Sequence, residues 1–227
     1  RSGILSTCFQ HGLPSIGLKG PNTERSLEDI PGLKLLNEED IGKGIKAPLD
    51  LVLCNNCSLI QLKHTAPQEL LYSGFYWYRS GVTQTMKNEL RNVSNAIENM
   101  IDLKNGDIIL DIGANDGTLL DTFKAKNLIK VGCEPANNLI KYLQESTEYV
   151  IHDFWSYENY TFHANKWNIG KAKVVTALGM FYDLDDPNKF INDIKKVLDS
   201  DGIFVAQLMC LANMLKQNDV GNICHEH

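Results

Sequence analysis

The chain has 227 residues, a formal charge of -6, 43% hydrophobic and 22% charged residues. That length holds one ordinary domain plus a small one, and the composition is that of a globular protein rather than a disordered or membrane-spanning one. No Lys/Arg cluster stands out, which argues against a nucleic-acid substrate, because phosphate neutralisation dominates such binding. No apolar run is long enough to cross a bilayer and no signal-type segment opens the chain, so no membrane partner is expected. Six cysteines are scattered, with a single C-x-x-C pair. That is no secreted disulfide framework, and a reducing cytoplasm is expected. The chain opens at Arg1 and closes at His227 inside what reads as a motif, so a piece of a longer protein is expected.

In chain order, residues 1–53 lack periodicity and carry many Gly and Pro, which predicts short strands and turns. Ala47-Pro-Leu-Asp-Leu-Val-Leu-Cys54-Asn-Asn-Cys57-Ser-Leu-Ile-Gln-Leu then places two strand-like runs around a C-x-x-C knuckle. A zinc ribbon presents half of its tetrahedral site this way, making Cys54 and Cys57 candidate zinc ligands. The other half is either Cys8 and His11 or residues upstream of Arg1, and the plainer alternative is a pair of reduced structural thiols. Residues 1–70 read as a small zinc-ribbon-like domain.

Residues 71–105 begin with a stretch dense in aromatics, Leu71-Tyr-Ser-Gly-Phe-Tyr-Trp-Tyr-Arg-Ser-Gly81. Met86, Leu90, Val93, Ile97 and Ile101 then recur at steps of three and four, which predicts a helix. Tyrosine faces attract cations, so Tyr76 and Tyr78 are candidates to cover a positively charged ligand, while Phe75 and Trp77 suit ordinary packing.

Asp107-Ile-Ile-Leu-Asp-Ile-Gly-Ala-Asn-Asp-Gly117 opens the main domain, residues 106–227. Ile108, Ile109, Leu110 and Ile112 form a short apolar run between glycines, the pattern of a central parallel strand buried on both faces. Gly113 and Gly117 allow a tight turn, and Thr118–Phe123 restores helical spacing. Strand, Gly-rich turn and helix open a nucleotide-binding doubly wound sheet. A dinucleotide site would carry a further glycine where Asn115 stands. Asp111 and Asp116 flank the turn with carboxylates, which suit a ligand bearing an ammonium and a sulfonium. Glu134 ends the next strand-like run about 20 residues beyond the turn, where a carboxylate accepts ribose hydroxyls.

The alternation continues. A helix carries Leu139, Ile140 and Leu143, and Glu148–Asp153 reads as a third strand. Asp153 either holds an adenine amino group or is simply solvated. Ala172–Leu178 is a fourth strand, followed by Gly179-Met-Phe-Tyr-Asp183 at the edge where open α/β sheets bind ligands. Pro187, after the candidate caps Asp185 and Asp186, starts a helix, and Ile203–Leu208 is a fifth strand. The chain closes on Cys224-His225-Glu226-His227: metal ligands, a base with its orienter, or a tail.

Asp111, Gly113, Gly117 and Glu134 together resemble a class I S-adenosylmethionine (SAM)-dependent methyltransferase. Added to Pro48–Leu62, Tyr78-Arg-Ser and the final His-Glu-His, they resemble the sugar C-methyltransferases that act on nucleotide-linked deoxysugars. That resemblance implies an α/β fold: a Rossmann-like parallel sheet behind a small zinc-binding N-terminal domain, with a further C-terminal domain absent here. It implies SAM bound by Asp111, Gly113, Asn115, Asp116, Gly117, Glu134, Asp153 and Tyr76, and zinc on Cys54 and Cys57. It also implies catalysis by His227 as base, Glu226 as its orienter, Tyr78 (or Tyr76) as donor to an enolate oxygen, and His225 assisting. Cys224 stands where members carry a tyrosine, and Tyr182 near where members can carry a histidine. O-methylation of a small metabolite, or a non-catalytic SAM- and zinc-binding module, are the competing readings.

Overall fold

This computed structural model describes Pro48 and residues 50–217. Strands β1 (Leu51–Leu53) and β2 (Ile60–Leu62) pair antiparallel as a hairpin with Leu53 opposite Ile60. A strap follows, opened by a π-helical turn at Glu69–Ser73 and closed by a 3-10 turn at Ser80–Val82. Helix α1 (Gln84–Met100) starts where the Thr83 hydroxyl accepts the Met86 N–H, an N-cap that satisfies one orphan donor. The predicted apolar stripe is the face it buries: Leu90 and Ile97 are buried, with Met86, Val93 and Ile101 packed beside them.

The main sheet is built from β3 (Ile108–Ile112), β4 (Ile129–Cys133), β5 (Tyr149–Ile151), β6 (Ala172–Leu178) and β7 (Leu198–Gln207). Helices α2 (Thr118–Thr122), α3 (Ile140–Ser146), α4 (Tyr157–Trp167) and α5 (Pro187–Val197) alternate with them, and α6 (Leu211–Gln217) follows β7. The strand order is β5-β4-β3-β6-β7, and every neighbouring pair is parallel. After β5 the chain reverses direction across the sheet, so β3 and β6, neighbours in space, are left by loops that diverge. A crevice opens at such a switch point, at the carboxyl ends of the strands.

All of β3 is buried, because helices cover both faces of the sheet. Successive side chains point to opposite faces. Leu110 and Ile112 enter a core shared with Tyr160 of α4 and Phe190 and Ile194 of α5. Ile109 enters the opposite core with Leu90, Leu120 and Leu143. Burying such residues contributes about 1.5–3 kcal/mol each. Helix α4 has no counterpart in the expectations above. It is capped by Ser156, whose Oγ accepts the Asn159 N–H at 3.0 Å, and it ends at Asn168 in the left-handed conformation. Of the two candidate caps of α5, Asp186 serves: its Oδ1 accepts the Lys189 N–H at 2.9 Å.

Candidate active site

The turn after β3 is hooked onto the end of β4. Gly113 N–H and Ala114 N–H both reach the Cys133 carbonyl, and Asn115 N–H donates to Glu134 Oε2 at 2.8 Å. Gly113 has φ +71°, and a Cβ there would lie 3.1 Å from Met180. Asn115 takes φ 53°, the left-handed conformation asparagine tolerates better than other side chains. Glu134 Oε1 accepts the Ala136 N–H at 2.9 Å, so each carboxylate oxygen keeps a lone pair for a ligand. The group is buried, and burial raises its pKa to about 7 against the amides of Ala136 and Asn115.

Above the switch point lies a cavity of about 460 Å³. Gly113 and Asn115 from the first turn, with Glu134 and Pro135 after β4, line one side. Phe154 and Trp155 after β5, and Met180, Tyr182 and Asp183 after β6, line another. The strap contributes Gln68, Tyr72, Tyr76 and Tyr78 as a cover. Phe75 and Trp77 are not among the lining residues and pack against each other at a tilt of 59°, with centroids 4.6 Å apart.

Long-range side-chain bonds hold that cover in place. Asn138 brackets Tyr76, its Oδ1 accepting the Tyr76 N–H at 2.8 Å and its Nδ2 donating to the Tyr76 carbonyl at 2.9 Å. Asn115 does the same for the next residues, accepting the Ser80 N–H and donating to the Tyr78 carbonyl. Tyr72 is hydrogen-bonded to the buried Asp183. Burial, then the Asp183 charge, pushes the Tyr72 and Tyr76 hydroxyls above their ordinary range, and burial raises Tyr78. All three remain neutral donors at physiological pH.

Gly113, Asn115, Glu134, Tyr76 and Tyr78 therefore converge on the cavity. Other expected contacts do not. Asp111 is buried within the sheet, where its Oδ1 accepts the Thr176 hydroxyl at 2.6 Å, joining β3 to β6. Burial raises its pKa to about 7, with the Thr176 hydroxyl opposing. Asp116 turns to the outer side of the loop. It accepts the Gly81 N–H at 2.8 Å and the Thr118 hydroxyl at 2.6 Å, and Arg79 Nε lies 3.3 Å away. Its carboxylate thus ties the strap to α2 instead of facing a ligand. Gly117 supplies the left-handed residue (φ +80°) that starts α2. Asp153 is exposed and its Oδ1 accepts the N–H of the adjacent Phe154 at 2.7 Å. Gln68, Tyr72, Trp155 and Asp183 were not singled out by sequence. Tyr72 lies in the aromatic stretch and Asp183 in the loop after β6 that the sequence did mark, but only the fold brings these four side chains together.

At the hairpin, Cys54 N–H donates to the Leu59 carbonyl at 2.8 Å and closes the knuckle. The backbone amides of Cys57 and Asn56 point at the Cys54 thiol and lower its pKa. Among the described residues no group of three or more His, Cys, Asp or Glu side chains is poised around one point. Cys8, His11, Cys224, His225, Glu226 and His227 lie outside the described residues. No helix among the described residues is long and apolar enough to cross a membrane.

Residues 84–227 match a family profile described as a methyltransferase domain. Over 198 residues the chain is 28% identical to the C-methyltransferase NovU of Streptomyces niveus, covering 87% of this chain and 46% of that protein. The chain thus spans about half the length of the curated relative it matches. Among solved structures, the plantazolicin methyltransferase BpumL superposes with a TM-score of 0.47 at 13% identity, over 63% of this chain and 56% of its own. The cyclopropane synthase MmaA2 of Mycobacterium tuberculosis superposes with a TM-score of 0.41 at 15% identity, over 67% of this chain and 54% of its own. With well over half of its residues matched, the chain belongs to the methyltransferase domain family, in the class I, SAM-dependent form.

Proposed function

We propose that this protein methylates a carbon atom of a nucleotide-linked deoxysugar, with SAM as donor. The observation that carries the reading is Glu134. A buried carboxylate, fixed by two backbone amides at the end of β4, faces a cavity beside the Gly113 turn. Carboxylates in this position accept ribose hydroxyls. Titration of the protein with S-adenosylhomocysteine (SAH) in a calorimeter tests the cofactor part of the reading, and Glu134→Ala abolishes the heat signal if that part is right.

When bound, SAM supplies a methyl group on a cationic sulfur. The protein's part is to orient the partners and generate a nucleophile. Gly113 leaves room for the donor, and the tyrosine faces over the cavity stabilise a cation. Tyr78, held protonated by burial, donates to the oxygen of a developing enolate. His227 removes the proton α to the sugar ketone, Glu226 orients it and His225 assists. Tyr182 stands on the cavity wall, suited to help hold the substrate. Attack by carbon is supported by the name of the relative from Streptomyces niveus. Deuterium uptake at the α-carbon of a ketosugar, with SAH present, is the expected signature. His227→Asn slows that uptake by about 10²–10⁴-fold, the usual contribution of a general base. Normal uptake in that variant overturns the assignment of the base.

Cys54 and Cys57 hold half of a zinc site in this reading, supported by the amides that favour the Cys54 thiolate. The free thiols and the knuckle fit a protein working in the reducing cytoplasm.

A further inference from the structure

We propose that Asp183 is the residue that tells the charged methyl donor from the spent one: its carboxylate sets a negative charge against the sulfonium of SAM, which the neutral thioether of SAH lacks. The inference rests on the SAM reading of the cavity. Among the described residues that line the cavity there is no Lys, Arg or His, but there are two carboxylates, Glu134 and Asp183. Glu134 is held by the Asn115 and Ala136 amides and serves ribose hydroxyls in that reading. The acids that the sequence offered to a sulfonium are committed elsewhere, Asp111 to Thr176 and Asp116 to Gly81 and Thr118. The charge that answers a cation in this cavity therefore falls to Asp183.

The fold fixes that residue from two sides. Asp183 closes the 3-10 turn Phe181–Asp183 after β6, where its N–H donates to the Met180 carbonyl at 3.0 Å. From the strap, Gln68 Nε2 donates to the Asp183 carbonyl at 2.8 Å, and the Tyr72 hydroxyl is bonded to its carboxylate. The Asp183 charge is felt across the cavity wall, since after burial it is the next cause that holds the Tyr72 and Tyr76 hydroxyls above their ordinary range. Met180, in the same loop, is the side chain that a Cβ on Gly113 would meet at 3.1 Å, so this segment abuts the glycine turn. Only 8% of Asp183 is exposed, and charges so placed are screened little and interact more strongly than in water. SAM and SAH differ by one methyl group and one positive charge, and a carboxylate discriminates by the charge. Methyl transfer removes that charge, so the attraction ends with the reaction and the product is released from a site that held the donor.

The test is a calorimetric panel of SAM, SAH and sinefungin, in which an ammonium-bearing carbon replaces the sulfonium, titrated into the protein, Asp183→Asn and Asp183→Glu. The unaltered protein is expected to bind both cationic ligands about tenfold or more tighter than SAH, a factor that one poorly screened charge pair supplies. Asp183→Asn keeps the size of the side chain and an acceptor for Tyr72, and near-ultraviolet circular dichroism verifies its fold. It is expected to lose that preference while its Kd for SAH stays within about threefold. Asp183→Glu, which retains the charge, should keep the preference. A residue with a structural role alone would weaken all three ligands alike on substitution, and that outcome overturns the proposal. The comparison of ligands on the unaltered protein needs no variant: SAH bound as tightly as SAM and sinefungin overturns the proposal and leaves the cofactor reading intact. Failure of the unaltered protein to bind any of the three overturns both.

Discussion

Glu134 shows how one side chain couples burial to ligand affinity. Its pKa stands near 7 because burial penalises the charged form more than two amides favour it. Ribose hydroxyls donate to the ionised carboxylate, so binding below that pKa requires a proton to leave. SAH affinity should fall as pH drops from 8 to 5, approaching about tenfold per pH unit at the acid end. Glu134→Gln should bind weakly and with a flatter pH profile. A calorimetric Kd series gives both curves, and parallel slopes would sink the linkage. Tyr78 belongs to this scale as well. Tyr78→Phe should leave SAH affinity within about twofold while slowing methyl transfer about 10²-fold or more, the typical loss of one such donor. The split between binding and turnover is what distinguishes a donor to the reacting oxygen from a packing residue.

Among the elements, the strap depends on contacts that lie far away in sequence. Gly81 packs so closely that a Cβ would stand 2.6 Å from Thr118 Oγ1 and 2.7 Å from Asp116 Oδ2. Gly81→Ala should lift the strap from the first turn and open the cavity. The expected outcome is faster proteolysis between residues 72 and 82 and about tenfold weaker SAH binding, with a change in stability of only about 1 kcal/mol. Asn138→Ala removes both bonds to the Tyr76 backbone and should loosen the same segment. Elements whose sequence carries a local signal were readable beforehand. The α1 stripe from Met86 to Ile101 buries its predicted face, and the buried run from Ile108 to Ile112 is the central strand. Helix α4 escaped because Tyr157, Tyr160, Ala164 and Trp167 give a weak apolar face, although the Ser156 cap was there to be read.

For the molecule as a whole, Asp111 is one of two buried acids, with Glu134, that contribute to the pH response of the ligand-free protein. Its folded pKa of about 7 lies above the ordinary 3.8, so the native state binds the proton more tightly than the unfolded chain. Its stabilising contribution is complete below about 3.8 and is lost as pH rises through about 7; Glu134 acts in the same sense from its ordinary 4.5. Thermal melts should therefore show a lower Tm at pH 8 than at pH 5 from this source, and Asp111→Asn should shrink that difference. The whole protein also bears on the hairpin. Purified without chelator, it should carry zinc by elemental analysis, and Cys54→Ser or Cys57→Ser should release it.

The sequence by itself determined what rests on neighbours along the chain. That includes the parallel α/β architecture, the glycine turn after Ile112, the acid ending the second buried strand, a helix start at Pro187 behind Asp185 and Asp186, and the knuckle at Cys54–Cys57. Each is set by local sterics, capping or apolar spacing. Tertiary structure alone decided where the acids around the first turn face. Asp116 is claimed by Gly81 and Thr118 and Asp111 by Thr176, which leaves Glu134 to meet the cavity. It also decided that Tyr72, Trp155 and Asp183 line one cavity. A carboxylate takes its role from whichever partner reaches it first, and those partners come from strands and loops far away in sequence.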